Sequence, residues 1–86
     1  MKTMLVEKVN IKLNNLSDAQ ELCSITSNAV GVQVEAQHGR YIVDAKSIMG
    51  ILSLDLTQPI TLNISTTDNN VSRFNTYVSN VWRWIV

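Results

Sequence analysis

Cysteine, proline, histidine and glycine are all scarce in this chain of 86 residues, which has one, one, one and three of them. A lone cysteine, Cys23, excludes an intrachain disulfide and points to a reducing compartment. Together with the single His38 it falls short of the three or four ligands of a zinc site, so neither metal nor cofactor is expected. An excess of either charge is missing too: seven basic residues balance seven acidic ones. Lys2, Lys8, Lys12, Arg40 and Lys46 are scattered, and nucleic acid or an anionic membrane needs clustered cations. No stretch approaches the ~20 apolar residues of a membrane span. Charges at positions 2, 7, 8 and 12 leave residues 1–13 without an apolar signal core. The expectation is a cytoplasmic protein that binds neither nucleic acid nor membrane.

What the chain does have is apolar residues: 45% hydrophobic against 16% charged favours a folded globule over disorder. At this length about 60% of the unfolded surface can be buried, which suffices for one domain spanning 1–86.

The periodicity alternates between two and 3.6. Residues 3–13 read as a strand, with Leu5, Val9, Ile11 and Leu13 against Lys8, Asn10 and Lys12. Ser17 to Gln20 resembles a capping box with Ser17 as N-cap, followed by a helix to about Asn28. That helix carries Ala19, Leu22, Cys23 and Thr26 on its packed face. Val30, Val32 and Val34 form a second strand, His38-Gly39 a turn, and Arg40 to Val43 a third strand. Ser47 then caps a short apolar helix, with the helix stop placed at Asp55. Pro59 opens a fourth strand carrying Ile60, Leu62 and Ile64, where proline removes no bond from the middle of a ladder. Thr66 to Asn70 reads as a turn. A last helix places Val71, Phe74, Val78, Val81, Trp82 and Ile85 on one stripe. Arg73, Tyr77, Asn80 and Trp84 fall on its flank, which predicts Trp82 buried and Trp84 exposed, and leaves Tyr77 and Trp84 as candidates for an interface. The order βαββαβα predicts an α+β open-faced sandwich: a four-stranded antiparallel sheet with three helices on one face.

The stretch Lys46-Ser47-Ile48-Met49-Gly50, with Ser53-Leu54 after it, organises the rest. It resembles the second-helix motif of the HPr family, the histidine-containing phosphocarriers of the bacterial sugar phosphotransferase system, in its low-GC Gram-positive form. The family's open-faced β-sandwich agrees with the order of elements above. The resemblance also implies a phosphoryl-accepting histidine and a supporting arginine before the first helix, in the motif Gly-(Ile/Leu)-His-Ala-Arg-Pro-Ala. Here Asn15 falls where the histidine belongs, Ser17 where the arginine belongs and Asp18 where the proline belongs. An amide is no nucleophile towards phosphate, and Asp18 would repel one. No catalytic residue is expected, therefore, and no enzyme activity.

Other groups offer no substitute. His38 reads as a solvated turn residue, and Cys23 as a small buried hydrophobe whose pairing with His38 the strand arrangement argues against. Glu7, Asp18, Glu21, Glu35, Asp44, Asp55 and Asp68 show no spacing suited to acid–base work. In Gram-positive HPr the serine matching Ser47 is phosphorylated by a dedicated kinase, and the helix it caps lies at the surface where partners dock. That makes Ser47 the candidate regulatory phosphorylation site and Ile48, Met49, Ile51 and Leu52 the candidate partner-binding residues. The expected function is a regulatory or protein-binding module without histidine carrier activity, monomeric or weakly homo-oligomeric, with an unidentified protein partner. The alternatives are a phosphocarrier with a non-standard acceptor and a small-molecule-sensing βαββαβ regulatory domain.

Overall fold

The computed structural model describes residues 6–66 and 71–86. Four strands, β1 (Val6–Ile11), β2 (Val32–His38), β3 (Tyr41–Asp44) and β4 (Ile60–Thr66), form one antiparallel sheet in the order β1-β4-β2-β3. The helices α1 (Leu16–Ser27), α2 (Ile48–Leu52) and α3 (Val71–Val81) pack against one side, and a single 3₁₀ turn, Trp82–Trp84, follows α3. This is the α+β open-faced arrangement that the strand and helix periods predict. Leu5 and Asp68, read above as strand and acidic surface, lie outside the described residues, as do 67–70 of the expected turn; Thr66, read into that turn, instead ends β4 and is buried.

Register assigns every strand residue to a face. Ile60, Leu62 and Ile64 of β4 are buried beneath the helices, beside Val32, Val34 and Ala36 of β2 and Val9 and Ile11 of β1. The opposite face is mostly polar, with Asn10, Thr61, Asn63, Ser65, Gln33, Glu35 and Gln37, and carries the exposed apolar Val6 and Ile42 on its two outer strands. Its polar side chains bond to one another, Thr61 Oγ1 donating to Asn10 Oδ1 at 2.9 Å and Asn63 Nδ2 to Gln37 Oε1 at 3.1 Å. Asn63 Oδ1, by contrast, is buried without a hydrogen-bond partner among the described residues.

Gly39 takes φ +59 in the two-residue loop between His38 and Tyr41, a conformation that favours glycine. Val30 is not part of β2. It lies 73% exposed before the strand, where its carbonyl accepts from Arg73 Nη1 at 2.9 Å.

Two helix boundaries differ from the sequence reading. The N-cap of α1 is Asn15, not Ser17: Asn15 Oδ1 accepts from the Asp18 N–H at 2.8 Å, and Asp18 Oδ2 accepts from the Asn14 N–H at 3.0 Å. Asparagine and serine are comparable caps, but this placement adds the reciprocal bond from Asp18 and starts the helix earlier. Helix α2 ends at Leu52 with Ser53 as C-cap, short of Asp55. The Asp55 carboxylate instead accepts from the Thr57 N–H and hydroxyl, an Asx turn that holds the link to β4.

The face of α3 is rotated from the expected one. Val81 is buried and Phe74, Val78 and Ile85 pack against the core as expected, but Tyr77 of α3 and Trp84 of the turn are buried too, while Val71 and Trp82 are 53% and 71% exposed. The α-helical step ends at Val81, and in the 3₁₀ turn that follows Trp82 faces outwards and Trp84 inwards. Trp84, predicted exposed, is a core residue, and Trp82, predicted buried, is a surface one. Beyond the turn the chain runs along β1: the Lys12 N–H donates to Trp84 O at 2.8 Å and the Val86 N–H to Asn10 O at 3.0 Å.

Candidate functional site

The loop before α1 and the end of α2, with the link that follows it, share a shallow groove of about 470 Å³. Lys12, Leu13, Asn14, Asn15 and Leu16 line one side, and Leu52, Leu56 and Thr57 the other. Lys12 closes its floor, Nζ donating to Leu13 O at 3.0 Å and Leu56 O at 3.2 Å. A lysine so engaged is a strut between loop and link.

Asn15 and Ser17, expected from the resemblance at the positions of a histidine and an arginine, do structural work or none. The Asn15 amide oxygen is committed to the Asp18 N–H, and Ser17 is exposed on the first turn of α1. The Asp18 carboxylate points back to the Asn14 N–H in front of the helix. It puts negative charge in front of α1, which disfavours an anion there.

Ser47 behaves as its position suggests. Its backbone is extended, and its exposed hydroxyl accepts from the Gly50 N–H at 3.1 Å. Gly50 sits in tight packing: a methyl group there would meet Val43 Cβ at 3.1 Å and Ser47 Oγ at 3.4 Å. The absent side chain lets α2 settle onto β3, which offsets the roughly 1 kcal/mol that glycine costs inside a helix.

The four apolar residues proposed for binding divide by burial. Ile51 is fully buried and belongs to the core, so it cannot contact a partner. Ile48 is half-buried against that core, while Met49 and Leu52 are 76% and 43% exposed. Sequence reading missed Leu16, which is 54% exposed and lines the groove opposite Leu52. The shifted cap was the signal that could have found it: with Asn15 as N-cap, Leu16 is the first helical residue, ahead of the buried face that begins at Ala19.

Elsewhere, Cys23 sits in the core with its thiol pKa raised, chiefly by burial and further by Asp44, which makes it a poorer nucleophile. His38 is half-buried at the end of β2. Among the described residues no three His, Cys, Asp or Glu side chains are grouped to hold a metal ion, and no helix is long and apolar enough to cross a membrane. Tyr77 is buried rather than available to an interface, its hydroxyl 2.7 Å from Thr26 Oγ1. Because Thr26 gives its own proton to Leu22 O at 2.8 Å, Tyr77 is the donor in that pair. In comparisons with known proteins, no family model, curated protein or solved structure matches this chain.

Proposed function

We propose that this domain is an HPr-like module of a bacterial cytoplasm that has given up histidine phosphotransfer and works by docking a protein partner on the surface formed by α2 and the start of α1. The observation that carries the reading is the cluster of Leu16, Met49 and Leu52, which are 54%, 76% and 43% exposed around a serine-capped helix. Met49 and Leu52 are three residues apart and so share one face of α2, and Leu16 meets Leu52 across the groove. Three large apolar side chains held at one end by buried neighbours suit a small partner-binding patch. Replacement of the acceptor position by a helix-capping Asn15, with Asp18 behind it, argues against phosphoryl transfer and against any enzyme role.

Ser47 supplies the means of regulation. A phosphate there would sit at a helix N-terminus beside Lys46, where N–H groups and the dipole tolerate an anion, and it would give the apolar patch a charged rim. Incubation with purified HPr kinase and ATP should add one phosphate, and an unchanged intact mass removes the regulatory half of the proposal.

Docking is tested by capture from a cell lysate with three baits: the native domain, Leu52→Glu, and Trp82→Ala as a surface control. A protein held by the native and Trp82→Ala baits but weakened about tenfold on Leu52→Glu is the expected result. If nothing distinguishes Leu52→Glu from the other two, this surface is not a docking site. Incubation with phosphoenolpyruvate and the general phosphotransferase enzyme should leave no acid-labile phosphate on the chain.

A further inference from the structure

The two edges of the sheet are treated differently. The outer side of β1 is partly occupied by the C-terminal segment, through the bonds from Lys12 to Trp84 and from Val86 to Asn10. Among the described residues nothing comparable runs along β3, which pairs only with β2. The Ala45 N–H donates to Val34 O, and the alternation of an antiparallel ladder then turns Tyr41 and Val43 inward and the main-chain groups of Ile42 and Asp44 outward. Residues 41–44 include no lysine or proline to blunt the edge, and Tyr41 and Ile42 are 73% and 52% exposed.

We propose that β3 is a self-association edge, on which two copies of this chain pair antiparallel about a two-fold axis at Ile42. The sheets then join into one of eight strands. In this register Ile42 faces its own copy as a hydrogen-bonded pair, using the outward N–H and C=O. Tyr41 faces the second copy's Val43, an aromatic against a β-branched side chain. Arg40 and Asp44 stand two residues either side of Ile42, so each Arg40 falls opposite the second copy's Asp44.

Charge is what selects a second copy over a foreign strand. Asp44 lies directly opposite Glu35 in the β2–β3 register, an unfavourable like-charge pair on the open face. Neither Arg40 nor Asp44 has an ion-pair partner among the described residues. Asp44 Oδ1 accepts from the Lys46 N–H at 2.9 Å, which leaves its other oxygen for a guanidinium. The symmetric pairing supplies that guanidinium twice, from the strand's own sequence. The surface is separate from the exposed patch of α2, and the inference does not depend on what α2 binds.

Sedimentation velocity of the full chain across a concentration series at low salt tests it. The native protein should show a reversible dimer that weakens as salt is added. Arg40→Asp and Asp44→Lys should each weaken self-association about tenfold or more, since each sets like charges opposite one another. Mixed in equal amounts they should reassociate as a heterodimer, because the introduced aspartate then faces the introduced lysine. Ile42→Pro removes an outward N–H at an edge where proline is tolerated, and should give a folded monomer by circular dichroism. A native protein that is monomeric at every concentration overturns the proposal, as does a dimer indifferent to Arg40→Asp and Ile42→Pro. If Asp44→Lys does not fold, those two variants decide the matter alone.

Discussion

Tyr77 joins two helices through one hydroxyl, and its environment is measurable. Burial, partly offset by the bond to Thr26, pushes its pKa up to about 12. A tyrosine whose folded pKa lies above the ordinary value near 10 contributes stability that is intact below about pH 10. That contribution is lost as pH rises from about 10 towards 12, because the unfolded chain releases the proton first. The melting temperature should therefore fall across that window, and the fall should be smaller in Tyr77→Phe. At neutral pH Tyr77→Phe should cost about 1 kcal/mol, the ordinary net value of one buried hydrogen bond. Ser47 gives the second residue-scale expectation. Ser47→Ala should lower stability by about 1 kcal/mol and Ser47→Asp should leave it nearly unchanged, read from urea midpoints. If Asp destabilises as much as Ala does, a capping role does not explain the loss and Ser47 is no N-cap. Both residues were visible in the chain, but only one role was. Ser47 follows an extended run and precedes apolar residues, so local chemistry suffices to name it a cap. The role of Tyr77 depends on Thr26, 51 positions away in sequence, and no local pattern reports such a pair.

At the scale of elements, the strands were legible because one face of the sheet is covered and the other is wet. Period-two alternation records that difference directly, and β4 shows it over its whole length. Short helices and helix ends were less so. The caps of α1 turned on a choice between Asn15 and Ser17 that propensity cannot settle, since both are good caps. The face of α3 was misread in phase within the helix itself: Val71 was counted into the stripe and Tyr77 left out of it, and the same offset exchanged Trp82 and Trp84. The candidate surface was half legible: the motif around Ser47 located α2, but only packing shows that Ile51 points inward and that Leu16 joins Leu52. The corrected phase makes a direct prediction. Trp84→Ala should destabilise by about 3–5 kcal/mol, as large buried aromatics do, and Trp82→Ala by no more than about 0.5 kcal/mol. Iodide should quench the fluorescence of a variant that retains only Trp82 far more than one that retains only Trp84.

Across the whole molecule, stability should be graded by position in the sheet. Strand β4 is paired on both sides, whereas β3 is a four-residue edge. Amide hydrogens of β4 should exchange only through global unfolding, and those of Ile42 and Asp44, turned outward, should exchange fastest among the strands. Equal protection in β3 and β4 of the free monomer would contradict the edge assignment. The same arrangement has a consequence in time. The strand at the middle of the sheet, flanked by both β1 and β2, is the last of the four in the chain. While the polypeptide is being made, α1 and the β2–β3 hairpin can form from neighbouring residues, but β1 has nothing to pair with. It must wait until some fifty further residues have been added before β4 arrives between it and β2. The sheet therefore closes from its centre, late and in one step, and a ribosome paused before residue 60 would hold a helix and a hairpin with no sheet to carry them.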